Sequence, residues 1–108
     1  MKARIEIKPL SVNEAFTGVR YKTDKYKSFE RSCLFLLPKM KVPDGDLQIH
    51  YTFGFSSKGS DLDNAVKQTT DILSKKYGFN DNRVYRIIID KAIVKKGCEF
   101  IEVEISSM

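Results

Sequence analysis

At 108 residues the chain has room for one domain with a single modest core, which excludes a second independent domain. It holds 19 Lys and Arg against 14 Asp and Glu, a formal net charge of +5 that favours a polyanionic partner. A membrane span is excluded, because the longest apolar run, CLFLL at 33–37, is far too short to cross a bilayer.

The start, MKARIEIK, is charged and alternating and lacks the apolar stretch of a secretory signal. Cys33 and Cys98 stand far apart and in no CxxC spacing, the pattern of a reduced pair. The expectation is a soluble, cytoplasmic protein. Residues 2–8 alternate, with Ala3, Ile5 and Ile7 on one face, and predict a half-buried strand ended by Pro9.

From Leu10 to Tyr26 no period is clean, and a long loop is expected there. Its segment VRYKTDKYK interleaves basic and aromatic residues. A helix follows, with Ser28 as its cap, Phe29, Cys33, Leu36 and Leu37 as its stripe, and Pro38 as its stop. After the turn VPDGD, Leu47, Ile49, Tyr51, Phe53 and Phe55 alternate with Gln48, His50, Thr52 and Gly54, the cleanest strand in the chain. His50, the single histidine, falls on the polar face, so histidine-metal and Ser/His/Asp chemistries have almost nothing to work with.

A helical run then extends from the Ser60 region to Tyr77, with Gly78 as its stop. Residues 84–94 read as an isoleucine-rich strand, residues 95–97 as a hairpin turn, and residues 98–105 as the last strand. The order strand, helix, strand, helix, strand, strand predicts one α+β domain, residues 1–108, with a mixed β-sheet.

The segment SDLDNAVK (60–67) groups Asp61, Asp63, Asn64 and Lys67, and Asp81 follows in GFNDNRV. Two readings stand side by side. In one, Ser60 and Asp63 form a capping box and Lys67 pairs with Asp63 one turn away, contributing only a few tenths of a kcal/mol. In the other, aspartates at an element boundary hold a hard divalent cation against a phosphate, with Lys67 stabilising the charge that builds in the transition state.

PLSVNEAF, SDLDNAVKQTTDIL, FNDNRV and KAIVKKGCEFIEVEI resemble, in order and spacing, the RusA-type Holliday junction resolvases common in phages and prophages. The most specific part is D-x-D-N-x-x-K followed by the later Asp-x-x-Val. The resemblance implies a homodimeric endonuclease that uses Mg²⁺, with Mn²⁺ fitting the same oxygen ligands, and cuts four-way DNA junctions symmetrically. It implies metal-binding, catalytic aspartates at Asp61, Asp63 and Asp81, an essential lysine at Lys67, and supporting roles for Asn13, Asn64 and Asp71. Asn80 stands where many members have the first of two paired acids, which leaves Asp81 alone in that motif.

A helix from Asp61 to Tyr77 would be roughly 25 Å long at ~1.5 Å per residue, which carries Asp81 away from Asp63. Either the chain folds back after Gly78, or the helix is shorter or kinked, or Asp81 comes from a second subunit. In a two-fold dimer with antiparallel central helices, Asp81 of one chain falls beside Asp61, Asp63 and Lys67 of its partner. Arg20, Lys22, Lys25, Lys27 and Lys58 are the expected phosphate contacts on branched DNA. The alternative from another class is a nucleic-acid-binding module without catalysis, its aspartates serving as helix caps.

Overall fold

Strict alternation builds the centre of the molecule. In the computed structural model, which describes residues 1–17 and 21–108 (backbone alone at Thr17 and Tyr21), residues Leu47, Ile49, Tyr51 and Phe53 of the central strand are wholly buried. The elements in order are β1 (Lys2–Ile5), α1 (Val12–Ala15), β2 (Phe16–Thr17), β3 (Tyr21–Lys22), α2 (Asp24–Leu36), β4 (Leu47–Phe55), α3 (Val66–Tyr77), a 3₁₀ turn (Asp81–Arg83), β5 (Val84–Ile93) and β6 (Phe100–Ser107).

Four strands make a mixed sheet in the order β1-β6-β4-β5, and β2 and β3 form a small separate ribbon. β4 runs antiparallel to β6 and parallel to β5, so β4, α3 and β5 make a strand–helix–strand crossover. Tyr26, Phe29 and Cys33 of α2 and Ile72 and Leu73 of α3 pack with the inward row of β4 and with Ile101, Val103 and Ile105 of β6. The radius of gyration, 13.4 Å, is that of one compact α+β domain of this length. No helix among the described residues is long and apolar enough to cross a membrane.

The outer face of the sheet holds the even-numbered residues of β4, His50 and Gly54 among them. There His50 meets Asp90 at 2.6 Å, and the Arg4 guanidinium lies 3.8 Å from the centre of the Phe100 ring. Phe100 in turn covers Gly54, where even a methyl group would overlap the ring.

Four expectations are corrected. The long loop at 10–26 instead contains α1, the β2–β3 ribbon and the first turn of α2. α2 begins at Asp24, capped by Thr23, whose hydroxyl accepts the Tyr26 N–H at 3.1 Å; Ser28 lies inside the helix. Tyr26 is buried in line with Phe29 and Cys33, so the apolar stripe starts one turn earlier than the Phe29 run indicates.

The turn at 95–98 forms, with the Cys98 N–H donating to the Lys95 carbonyl at 2.9 Å, but β5 and β6 are not paired to each other. β4 lies between them. Finally, α3 starts at Val66 rather than near Ser60, and its cap, Ala65, makes no side-chain bond. The Asn64 carbonyl accepts the Val12 N–H at 2.9 Å and a side-chain N–H of Gln68 at 2.9 Å, and these bonds draw it off the helical path. A side-chain cap does occur at Ser11, whose hydroxyl accepts the Glu14 N–H at 3.3 Å and donates to the Glu14 carboxylate at 3.1 Å.

Candidate active site

β4 delivers the chain at Phe55 to a turn of small polar residues, and the chain then passes through residues 61–65 into α3. Successive i, i+3 bonds shape this segment: Asn64 N–H to Asp61 O at 3.3 Å, and Val66 N–H to Asp63 O at 3.2 Å. Asp61 and Asp63 are both exposed. Among the described residues neither carboxylate takes a hydrogen bond or an ion pair, and Lys67 pairs with neither Asp63 nor Asp71. The local roles that would explain two aspartates here, cap and i, i+4 partner, are therefore not filled.

Two cavities flank the turn. One, about 260 Å³, is lined by Lys8, Glu14, Phe55, Ser60, Asp61 and Asn64, among others. The other, about 400 Å³, is an open groove between the flank of α3 and β5, lined by Lys67, Thr70, Asp71, Asp81, Tyr85 and Arg86, among others. The fold thus brings Lys67, Asp71 and Asp81 to one groove and places Asp61 on a separate cavity; Asp63 lines neither of these two. With twelve residues, α3 is roughly 18 Å long at ~1.5 Å per residue, shorter than the helix expected from Asp61 to Tyr77. Among the described residues no three His, Cys, Asp or Glu side chains gather closely enough to hold a metal ion.

Asp71, half-buried on α3, acts on the phenols behind it. Burial, with the Asp71 charge, pushes Tyr51 up, although the hydrogen bond to Thr70 at 2.6 Å works the other way. Burial, then Asp71 and Glu30, raises Tyr26 to about 12. Both phenols are neutral at physiological pH. Glu14 sits below the usual carboxylate range, because hydrogen bonds from Ser11 and Lys25 outweigh its burial.

Of the expected phosphate contacts, Lys22 is engaged with Glu30 at 3.6 Å and lies over the Tyr26 ring, and Lys25 reaches Glu14 at 3.5 Å. Lys27 and Lys58 are exposed and have no ion-pair partner among the described residues. Arg20 lies outside the described residues. Asn13 is exposed on α1 and lines neither cavity, whereas Asn64 lines the cavity beside Asp61.

Two residues of consequence escape a reading of local sequence. Lys91 of β5 donates to the carbonyls of Lys58 at 3.2 Å and Ser60 at 3.0 Å, pinning the loop that leads to Asp61; nothing in its local sequence announces this. Gln68 is wholly buried and ties the 61–64 turn to the carbonyl of Leu10, leaving its own Oε1 without a partner among the described residues, at a cost of about 1–3 kcal/mol. One signal does point to Gln68: its spacing from Ala65 and Ile72 puts a polar amide on the apolar stripe of α3.

Set against known families, the sequence falls among the endodeoxyribonucleases. The matching family model, described as Endodeoxyribonuclease RusA, covers residues 6–106, and the chain belongs to that family, the Holliday junction resolvases. A comparison with curated proteins finds no match.

Proposed function

We propose that the protein is a Mg²⁺-dependent, structure-specific endodeoxyribonuclease that resolves four-way DNA junctions in the cytoplasm by paired symmetric cuts. The observation that carries this reading is the pair Asp61 and Asp63: two exposed carboxylates on one short turn, neither hydrogen-bonded nor ion-paired among the described residues. The donor set is oxygen alone, which suits a hard cation. Mg²⁺ is commonly held by one or two carboxylates together with phosphate oxygens and water, so a turn offering two acids fits it, and Mn²⁺ fits the same ligands. When bound, the ion supplies a water of lowered pKa and screens the charge on the scissile phosphate. Lys67, on the first turn of α3, stabilises that charge from the side.

The third acid is placed by a dimer. β1, at one edge of the sheet, has four residues, with the charged Lys2 and Arg4 facing out, a blunted edge. β5, at the other edge, has ten residues and exposes Tyr85 at 68 % and Ile87, Ile88 and Ile93 at 38–45 %. An edge so long and apolar asks for a partner, and the groove with Lys67, Asp71 and Asp81 opens beside it. A second copy related by a two-fold axis perpendicular to β5 sets the two α3 helices antiparallel and brings Asp81 of each chain toward Asp61 and Asp63 of the other. Such a dimer presents two equivalent sites to a junction that is itself two-fold symmetric. Lys27 and Lys58 then contact phosphates, with Lys22 and Lys25 drawn in when their glutamates release them.

The alternative, a nucleic-acid-binding module whose aspartates cap a helix, is not favoured by α3, which Ala65 caps without a side-chain bond. A synthetic four-way junction incubated with and without Mg²⁺ tests the proposal, with Asp63→Asn as the comparison. Cleavage that requires Mg²⁺ and disappears in Asp63→Asn while junction binding persists is the expected result. Binding without cleavage by the unmodified protein defeats it.

A further inference from the structure

We propose that Gln68 is a positioning residue of this site: its buried amide holds the 61–64 turn in place and so sets the affinity of Asp61 and Asp63 for a divalent cation. The inference rests on the nuclease reading above.

The Gln68 side chain is 0 % exposed, and its Nε2 donates both to the Leu10 carbonyl and to the Asn64 carbonyl, the latter at 2.9 Å. Both partners are acceptors only, so nitrogen must face them; the reversed amide would set oxygen against two oxygens. The orientation is fixed by this arrangement, and Oε1 is left unmatched among the described residues. A methionine of similar length would fill the space and remove the unmatched Oε1 but would take the donor from the Leu10 carbonyl, so the amide serves the bonds it makes rather than packing.

The amide supplies an anchor. The turn's own bonds are long, 3.2 and 3.3 Å, whereas the Asn64 carbonyl is gripped from outside by Gln68 and by the Val12 N–H at 2.9 Å. Asn64 directly follows Asp63 and closes the bond to Asp61. Releasing it frees both carboxylates to drift. Outer partners that orient ligands are typically worth ~10–100-fold in metal affinity, and the lower end applies to a grip that acts through the backbone.

The test compares Gln68→Met with Leu73→Ala, a buried change on α3 that removes none of the turn's hydrogen bonds. Three quantities are read on the full-length protein: Mn²⁺ affinity by isothermal titration in the absence of DNA, the Mg²⁺ midpoint for junction cleavage, and hydrogen exchange at the Val12 amide. Gln68→Met is expected to weaken Mn²⁺ binding and raise the Mg²⁺ midpoint by about tenfold, with faster exchange at Val12. Leu73→Ala is expected to lower the melting temperature and move none of the three beyond that general loss. If Gln68→Met leaves the metal affinity and midpoint where they were, or shifts them no more than Leu73→Ala does, the positioning role is overturned while the nuclease reading stands. If the unmodified protein neither binds Mn²⁺ nor cleaves with Mg²⁺, the nuclease reading itself fails and takes this inference with it.

Discussion

Replacing Lys91 by methionine separates holding the active-site loop from holding DNA. The ammonium of Lys91 reaches from β5 to the carbonyls of Lys58 and Ser60, at 3.2 and 3.0 Å, just ahead of Asp61. Both bonds are exposed, so water can replace them, and each contributes at the low end of about 0.5–1.5 kcal/mol. Losing roughly 1 kcal/mol from a domain of typical stability, ~5–15 kcal/mol, leaves it more than ~99 % folded at 25 °C. Unfolding therefore cannot account for a large loss of activity. A loosened loop can, because a displacement of ~1 Å at a reacting centre is able to cost about 100-fold. For partial loosening the expected fall in single-turnover cleavage of a four-way junction is about tenfold. The salt dependence of binding supplies the control. A lysine that contacts a phosphate contributes ~0.9 to the slope of log affinity against log salt, and one occupied within the protein contributes nothing. Cleavage at the full rate, or a reduced rate accompanied by a shallower slope, refutes the pinning role.

Removing Lys27 or Lys58 should lower the salt slope by ~0.9 each, whereas removing Lys25, held by Glu14 at 3.5 Å, should lower it less; an equal loss from Lys25→Ala contradicts this. Burial and then the nearby Glu30 push the Cys33 thiol up to about 12, while Cys98 is exposed. A disulfide reagent at pH 8 should therefore titrate one thiol rapidly in the native protein and two in guanidinium, and two fast thiols in the native state would count against the fold. Gly54→Ala should cost about 1–3 kcal/mol, because its methyl group meets the Phe100 ring that Arg4 covers. Phe100→Leu in the same chain should recover part of that loss, and an unchanged melting temperature for Gly54→Ala argues against this packing.

What the sequence makes legible is what a local period encodes. The alternation of Leu47, Ile49, Tyr51 and Phe53 names the central strand and its buried face, and Ile101, Val103 and Ile105 do the same for β6. Pairing is set by long-range geometry instead. Residues 95–98 carry hairpin chemistry, but the parallel crossover through α3 sets β5 on the far side of β4, and a turn dictates reversal of the chain rather than the identity of the neighbour. The start of α3 was hidden for a similar reason: Asp61 and Asp63 have the composition of a first helical turn, and the bond from Val12, far away in sequence, draws Asn64 out of the helix. Asp61, Asp63, Lys67 and Asp81 were visible as a motif. Gln68 and Lys91 act through backbone carbonyls, which have no residue identity; Lys91 leaves no pattern to read, and Gln68 shows only as a polar amide on the apolar stripe of α3.

Mixing two inactive variants measures the shared site directly. Asp63→Asn and Asp81→Asn, each alone, should abolish Mg²⁺-dependent cleavage. If Asp81 serves the partner's site, a co-refolded mixture contains heterodimers in which one site has lost both acids and the other is intact, so about a quarter of the full nicking activity returns. A mixture as inactive as either parent contradicts the shared site.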